Sequence, residues 1–461
     1  MLLPIPRPED YDISPLNGFL PDEAPLEILP DPYYAKWEAI IKHLQALLLS
    51  KRLREVIHEM PVITTSRLRR RAEWRRAYVL LSFMSHAYIW GGDRPEEAIF
   101  DDERIDTNDN LSTLVTFTGS LDESCFYLVS VAMEARGGPT IPLMLDAIAA
   151  ARDNDSKAVT RYLQAFAERL DEVGSVLVQM YENCDPHVFY HRIRPFLAGS
   201  KNMADAGLPS GVLFDTGSPE DRYVQYGGGS NAQSSMIQFF DIVLGVEHHP
   251  TGSRGKDGDI DKAASAPAPN FIHEMRAYMP GPHREFLAHV SSVANIRDFV
   301  DKHRSQRDLT IAYDACLAML RSLRDKHMQM VSRYIIIQSQ QSRSHQRSLS
   351  PRAAPQNSQP LNLANTQSKD GKSDTKKLKG TGGTALIPFL KQARDETGEP
   401  AVDDWFQRTM TTSGKGAGSG PAARSFASLG KVGEQPDGEI QIVGLAGVWR
   451  MDESEGGICH W

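Results

Sequence analysis

His327 is a polar ring on the apolar face of a predicted helix. Over residues 313–337, side chains recur at alternating steps of four and three, the spacing that places them on one helical face. That face consists of Cys316, Leu320, Leu323, His327, Met330, Tyr334 and Ile337. An imidazole there needs a partner, because burying an unbonded polar group costs on the order of 1–3 kcal/mol. The pattern leaves two interpretations. One is a core histidine bonded to a neighbour, and the other is an iron ligand with Arg324, one turn earlier, facing an anionic group of a cofactor.

Two glycine-rich segments, 227–235 and 380–383, precede predicted helices. Free backbone N–H groups at a helix start can bind an anion, and the missing side chains let a flat ligand approach closely. Neither segment has the Gly-Lys-Ser/Thr of a phosphate loop or the spaced glycines of a dinucleotide fold. An ordinary helix start is therefore the alternative interpretation of both.

The segment that follows Cys184 carries two further candidates for chemistry. Cys184, His187 and His191 have a spacing seen in zinc sites, although no fourth ligand lies nearby in the sequence. A zinc-binding scaffold is thus one hypothesis. Arg194 stands among apolar and aromatic residues, which suits a cation that binds the carboxylate of an otherwise hydrophobic ligand. Ser130 has large apolar neighbours and no histidine nearby, so we expect packing or a polar pocket contact rather than a nucleophile.

Helical periodicity dominates the chain and predicts an all-α fold. We expect a large multi-helix domain, a smaller and mainly helical N-terminal domain, and a disordered insert and tail. The predicted helices cover 34–60, 67–90, 121–136, 141–152, 156–184, 186–198, 234–246, 272–278, 282–289, 296–304, 309–338 and a last helix from about 385. The arginine run at 67–76 is interpreted as the solvated start of a helix.

Composition divides the chain further. Residues 248–270 form a predicted mobile insert, rich in Gly, Ser, Ala and Pro. The predicted parts are a small N-terminal domain (1–110), a large helical domain (111–337), a disordered linker (338–379), a closing loop with the last helix of the large domain (380–397) and a low-complexity tail (398–461).

Charge and cysteine content exclude several classes of protein. The 461 residues carry a formal net charge of -8, which argues against nucleic acid or an anionic membrane as the main partner. The four cysteines include no CxxC pair and predict no disulfide framework. No apolar run approaches membrane-spanning length, and the proline-broken N-terminus does not read as a signal peptide. We therefore expect a soluble cytoplasmic protein.

Several strings in collinear order resemble the indoleamine 2,3-dioxygenase family, whose members use haem to open the indole ring of tryptophan. Together they extend over roughly the whole chain that we expect to be ordered. The strings are PDPYYAKWE at 30–38, AYIWG at 87–91, CFYLVS at 125–130, FLAG at 196–199, GGSNAQSS at 228–235, FFDIVLG at 239–245, RAYMPGPHREFL at 276–287, YDACLAMLRSLRDKHMQMVSRYI at 313–335 and KGTGGT at 379–384.

The resemblance implies haem b as cofactor and gives each matching residue an expected role. His327 is implied to be the proximal iron ligand, with Arg324 and Asp241 as an ion pair near the haem. Gly229 is implied to approach both haem and substrate. The residues implied to surround or act on the substrate are Phe126, Ser130, Phe189, Arg194, Leu197, Gly229, Ser230 and Thr381. Of these, Arg194 pairs with the substrate carboxylate, and Ser130, Phe126 and Arg194 are the expected catalytic residues.

The implied reaction inserts both atoms of O2 across the indole C2–C3 bond of L-tryptophan to give N-formylkynurenine. This is the first step of the kynurenine pathway, which supplies NAD biosynthesis. The expected partners are L-tryptophan or related indoleamines and O2, with no nucleic acid and no membrane, and we expect a monomer.

The chain departs from the family pattern in two regions near the expected pocket. Only residues 92–111 fill an interval in which family members carry a few dozen more residues, including a helix that lines the distal pocket. Asn231 stands where a small Ala is usual, and Ala198 and Ser200 also differ. These departures leave an alternative function: a haem-binding sensor, or a catalytically degenerate paralogue that lacks part of the distal pocket.

Overall fold

The computed structural model describes residues 3–92, 113–201, 203–204, 207–214, 221–250, 270–341 and 386–402, with short strands at 367–368, 377–378, 432–434, 440–444 and 447–450. Helices dominate these residues, which confirms the predicted all-α class. The predicted closing loop at 380–385, including Thr381, lies outside the described residues, as do 251–269. No helix in the described ranges is long and apolar enough to cross a membrane.

The N-terminal helices are shorter than their periodicity predicted. They are α1 (Ala35–Lys42), α2 (Leu44–Leu49), α3 (Leu53–His58) and α4 (Arg71–Trp90). The single helix predicted over 34–60 is wrong, because the backbone leaves the helical region at His43 (φ -111°, ψ 15°) and at Lys51 (φ 57°). The predicted end of α4 at Gly91 is confirmed, since the Gly91 N–H donates to the carbonyl of Ala87.

These helices surround an N-terminal core that includes Trp37, Leu44, Leu80 and Met84. Arg76 of α4 is buried there and donates to both carboxylate oxygens of Glu38, at 3.0 and 2.5 Å. The prediction of a solvated arginine run is therefore wrong for Arg76. Its charge is compensated by a bidentate ion pair within the core.

The central helices are α5 (Leu121–Gly137), α6 (Thr140–Arg152), α7 (Ser156–Val178), α8 (Met180–Asn183) and α9 (Pro186–Val188). After α9 the chain forms a π-helical segment, Phe189–Ile193, and then a 3-10 helix, Arg194–Leu197. The continuous helix predicted over 186–198 is therefore wrong. Pro195 has no N–H to donate and lies in the first turn of the 3-10 helix, where none is needed.

The later helices are α10 (Ser235–Leu244), α11 (Phe271–Met275), α12 (Gly281–Val293), α13 (Ile296–Lys302), α14 (Arg307–Val331) and α15 (Leu386–Glu396). The chain continues from α14 into a π-helical segment, Ser332–Ile336. The hydroxyl of Ser234 caps α10 by accepting from the N–H of Ile237, and left-handed Gly245 ends it. Both ends agree with the sequence signals for helix start and stop.

The main core is built around α14, which packs against α7 and α15. Tyr313 and Cys316 of α14 are fully buried, and Cys316 Sγ contacts the Leu163 carbonyl at 3.1 Å. Ile13 and Phe19, from the N-terminal arm, also belong to this core. The predicted domain boundaries stay a prediction.

The strands among the described residues are short, and all of their pairings are antiparallel. β1 (Val212–Leu213) pairs with β2 (Tyr223–Val224), and β3 (Gln367–Ser368) pairs with β4 (Lys377–Leu378). β5 (Val432–Glu434), β6 (Ile440–Gly444) and β7 (Gly447–Arg450) form a three-stranded sheet in the order β5-β6-β7. The sequence did not predict this sheet, because its surroundings are rich in Gly and Ser.

Candidate cofactor and substrate site

A cavity of about 580 Å³ lies between α5, α14, α15 and the loop that precedes α10. Its volume falls in the range of cofactor and small-molecule pockets. Most predicted site residues line this cavity: Phe126, Ser130, Phe189, Arg194, Leu197, Gly229, Ser230, Arg324 and His327. Asp241 does not line the cavity but contacts Arg324, which does. Thr381 lies outside the described residues. The structure thus brings together residues from four separate stretches of sequence.

His327 lies on α14 and presents its ring to the cavity. Burial and the nearby charge of Arg324 lower the pKa of His327 to about 4, so the ring is neutral at pH 7. Its Nε2 atom lies 3.0 Å from Nδ2 of Asn231. A neutral imidazole is the form that binds a metal.

Arg324, one turn before His327, donates two hydrogen bonds to the carboxylate of Asp241 on α10, at 2.8 and 2.7 Å. Its other terminal nitrogen donates to the Thr397 hydroxyl. Burial opposes ionisation of Asp241, but the charges of Arg324 and His248 outweigh it and hold the pKa of Asp241 below its usual value. A fixed cation therefore lies at the cavity wall beside His327.

His248 was not predicted as part of this network. Its side chain is only 5% exposed, and its ring nitrogens contact Asp241 at 3.0 Å and Glu396 at 2.6 Å. Burial lowers the pKa of His248, but the two carboxylates outweigh burial and leave that pKa raised. The predicted mobile insert was assigned from residue 248, and this start is wrong because His248 joins α10 to the end of α15.

Aromatic side chains form one wall of the cavity. The rings of Phe126 and Phe189 lie 5.1 Å apart, and the Phe189 ring packs edge-on against Tyr334 at 5.6 Å. Ser130 donates its hydroxyl to the carbonyl of Phe126 at 3.1 Å. The wall suits a flat apolar ligand, with the Ser130 hydroxyl as a polar group beside it.

Arg194 is fully buried at the start of its 3-10 helix, with its guanidinium carbon 5.8 Å from the centre of the Tyr190 ring. Burial lowers the pKa of Arg194 to about 10, so the side chain is still charged at pH 7. The cavity therefore contains a cation set among apolar groups. This arrangement can bind a carboxylate.

Gly229 and Ser230 lie on a loop that is held by its own hydrogen bonds. The Gly229 N–H donates to the Leu197 carbonyl at 3.1 Å, and the Ser230 hydroxyl accepts from the Ala232 N–H at 3.3 Å. A methyl group added at Gly229 would meet no atom within 4 Å, so this glycine borders open space in the cavity. A flat ligand can approach the backbone closely there.

Glu134 also lines the cavity and was missed from the sequence. Burial raises its pKa to about 7, although a 2.5 Å hydrogen bond from the Ser234 hydroxyl acts in the opposite direction. The signal for it was present, because Phe126, Ser130 and Glu134 are spaced by four residues and so lie on one helical face.

The zinc hypothesis receives no support from the described residues. The rings of His187 and His191 lie 4.4 Å apart, while Cys184 is buried and raised in pKa by burial to about 12. Across the described ranges, no group of three or more His, Cys, Asp or Glu side chains is arranged to hold a metal ion.

Comparison with known proteins identifies the family. A sequence model described as indoleamine 2,3-dioxygenase matches residues 7–101 and 97–400. The chain is 38% identical over 440 residues to an indoleamine 2,3-dioxygenase of Saccharomyces cerevisiae, covering 86% of this chain and 93% of that protein. It is 38% identical over 428 residues to indoleamine 2,3-dioxygenase acdA of Aspergillus candidus, covering 84% and 96%. A 6-hydroxytryptophan 2,3-dioxygenase of Fusarium equiseti is 34% identical over 421 residues, covering 84% and 96%.

The family match extends over most of the chain, and the residues that carry the resemblance meet in one cavity. The chain therefore belongs to the indoleamine 2,3-dioxygenase family and is a dioxygenase, an oxidoreductase of the class that acts on tryptophan or indoleamines with O2.

Proposed function

We propose that this protein binds haem b and converts L-tryptophan to N-formylkynurenine by inserting both atoms of O2 across the indole C2–C3 bond. The observation that carries the proposal is that neutral His327 and charged Arg194 line the same, largely apolar cavity. The product would be the first intermediate of the kynurenine pathway, which supplies NAD biosynthesis.

The residues present fit a haem group. His327 offers a neutral nitrogen for iron, Arg324 offers a charge fixed by Asp241, and Gly229 leaves space for a flat ring. Held by His327, ferrous haem would supply the chemistry that activates O2.

The remaining residues orient the substrate and exclude water. In the proposed complex, Arg194 binds the carboxylate of tryptophan, while Phe126, Phe189 and Leu197 enclose the indole ring. Ser130 gives a hydroxyl beside that ring, and Ser230 lies at the glycine-rich loop. The electron-rich indole is itself the reactant, so positioning within a dry cavity is the main contribution of these side chains. A substrate-binding role for Thr381 is part of the proposal, and this residue lies outside the described ranges.

The test is a turnover assay on the full chain after loading with haem and reduction. We expect N-formylkynurenine to form from L-tryptophan and O2, and to be absent with His327→Ala, which should bind no stable haem. His187→Ala is the matched control, because His187 lies outside the cavity wall and should leave both haem content and turnover intact. Bound haem in the wild-type protein without product would reject L-tryptophan as the substrate.

The substrate needs a direct comparison, because one relative carries the name 6-hydroxytryptophan 2,3-dioxygenase. Assays with L-tryptophan and 6-hydroxytryptophan under the same conditions should give the higher kcat/KM for L-tryptophan. A clear preference for the hydroxylated substrate would replace L-tryptophan in the proposal while leaving the reaction type unchanged.

A haem-binding protein without turnover is the second candidate function. It is favoured by the break in the family match, whose two segments meet at residues 97–101, inside the interval 92–111 that is too short for the family pattern. Stable haem binding with no product from either substrate would support this candidate.

A further inference from the structure

The side chain of Asn231 contacts the atom of His327 that would bind iron. Nδ2 of Asn231 lies 3.0 Å from Nε2 of His327, and both residues line the cavity. An amide nitrogen has hydrogens to donate and no lone pair to offer. The hydrogen bond therefore runs from Asn231 to the Nε2 lone pair, which places the ring proton of His327 on Nδ1.

A lone pair that accepts a hydrogen bond cannot bind a metal at the same time. We propose that Asn231 is a positioning residue that competes with haem iron for Nε2 of His327 and thereby limits how fast the protein takes up its cofactor. This inference rests on the proposed binding of haem through His327. It adds a residue that opposes cofactor loading.

The backbone around Asn231 is held in place, so release has to come from rotation of the side chain. The Ser230 N–H donates to the Gln233 side chain at 3.3 Å, and Gln233 Nε2 donates to the Gly228 carbonyl at 3.1 Å. These bonds, with the Ser230 cap on Ala232, fix the short 3-10 helix Asn231–Gln233. Asn231 can thus leave His327 by turning about its own side-chain bonds while the loop stays in place.

The size of the effect follows from the strength of one neutral hydrogen bond. Such a bond shifts an equilibrium by about 3- to 10-fold. If only molecules with the bond open can bind iron, the apparent association rate and affinity fall by the same factor. The dissociation rate does not change, because the hydrogen bond is already broken in the haem-bound protein.

The experiment measures haem uptake by the full chain after its haem has been removed. Hemin is added to the wild-type protein, Asn231→Ala and Asn231→Leu, and the growth of the Soret absorbance gives the association rate. Transfer of haem to excess apomyoglobin gives the dissociation rate. We expect both variants to take up hemin about 3- to 10-fold faster than wild type, with unchanged dissociation. Leucine is the matched control, since it has a size close to that of asparagine but no donor.

Equal association rates for all three proteins would overturn the inference. It would also be overturned if Asn231→Leu behaved like wild type while Asn231→Ala was faster, because bulk and not the hydrogen bond would then control uptake. His327→Ala separates this from the proposed function: hemin uptake by that variant with the wild-type rate and spectrum would reject the iron ligand itself. Circular dichroism checks that each variant is folded.

Discussion

Of the residues that the structure describes, two arginines line the cavity, and their surroundings differ. The terminal nitrogens of Arg324 donate to Asp241 and Thr397. Arg194 keeps its charge at pH 7 although it is fully buried beside the Tyr190 ring. A buried cation bordering an apolar cavity is suited to an anionic ligand, and we propose Arg194 as the group that binds the substrate carboxylate.

Replacing Arg194 should affect substrates according to whether they carry a carboxylate. Loss of a charge-assisted hydrogen bond corresponds to about 1.5–3 kcal/mol, so Arg194→Ala should lower kcat/KM for L-tryptophan by about 10- to 100-fold. Tryptamine lacks the carboxylate and should lose much less. Steady-state kinetics with both substrates measure the difference.

Arg194→Lys is the control for that experiment. It keeps a positive charge without the planar fork, so we expect it to retain part of the preference for L-tryptophan. An equal loss for L-tryptophan and tryptamine in Arg194→Ala would mean that Arg194 shapes the pocket and does not bind the carboxylate.

For individual residues, the sequence indicated those that interrupt a periodic pattern and missed those whose role depends on partners elsewhere in the chain. His327 stood out because a polar ring interrupts an apolar helical face. His248 gave no such signal, because its partners Asp241 and Glu396 are 7 and 148 residues away in the sequence. The contact between Asn231 and His327, 96 residues apart, was equally invisible before folding.

At the scale of elements, the cavity depends on the close approach of two chain segments, 197–201 and 224–229. The Lys201 N–H donates to the Tyr226 carbonyl at 2.8 Å, and the Tyr226 N–H donates to the Ser200 hydroxyl at 2.9 Å. Gly199 belongs to the first segment and faces the second. A methyl group there would stand 2.2 Å from the Gly228 nitrogen and 2.3 Å from the Tyr226 carbonyl oxygen. Because these are backbone atoms, they can move away from a methyl group only if the chain itself shifts.

Gly199→Ala should therefore destabilise the protein. Overpacking of this kind lowers stability by about 1–3 kcal/mol. It would also displace the segment 224–229, which leads into the cavity-lining residues Gly229 and Ser230. We expect a lower free energy of unfolding in urea and weaker haem binding by titration.

Gly229→Ala is the matched control within the same pair of segments. Its methyl group would enter open space, so the free energy of unfolding should stay within about 0.5 kcal/mol of wild type. Haem or substrate binding should still weaken, because the methyl group enters the cavity. If Gly199→Ala were as stable as wild type, the close approach would be looser than the structure indicates.

Long helices were predicted well and short ones poorly. Helices α4, α5, α7 and α14 follow clear periodic patterns and begin within four residues of their predicted starts, whereas α7 ends at 178 and α14 at 331, before their predicted ends at 184 and 338. The π-helical segments Phe189–Ile193 and Ser332–Ile336 have the same apolar periodicity as an α-helix over so short a length. Tertiary contacts determine whether such a segment forms an α-helix or a π-helix. An example is the hydrogen bond from the Tyr334 hydroxyl to the Cys184 carbonyl at 2.6 Å.

At the scale of the molecule, a buried network of charges joins helices that are distant in sequence. Asp241 of α10 contacts Arg324 of α14 and His248, and His248 contacts Glu396 at the end of α15. The pKa of His248 is raised from 6.5, while the pKa values of Asp241 and Glu396 are lowered from 3.8 and 4.5. The network therefore links folding stability to pH.

The sign of this dependence differs between the groups. The contribution of His248 is fully present below pH 6.5 and is lost as pH rises through its raised pKa. The contributions of Asp241 and Glu396 to stability are present above pH 3.8 and pH 4.5, respectively. They are lost as the pH falls through the lowered pKa values of these two groups. His248→Gln should lower the free energy of unfolding by about 1–3 kcal/mol near pH 6, and this difference should shrink toward pH 9.

Urea unfolding of both proteins across that range measures the effect. His303→Gln is a suitable control, because within the described part of the chain the His303 ring hydrogen-bonds to the Phe299 carbonyl and to no carboxylate. Parallel stability curves for the wild type and His248→Gln would show that His248 is not charged in the folded protein.

The contact between Phe117 and Phe196 ties the N-terminal core to the site. Their rings stack at 4.6 Å with planes 4° apart, and Phe196 lies between Arg194 and Leu197 in the chain. Chimaeras that exchange residues 113–120 with those of a relative carrying another residue at position 117 would replace one ring of this stack. Such hybrids should show an altered substrate preference although residues 113–120 do not line the cavity, unless position 196 is exchanged along with them.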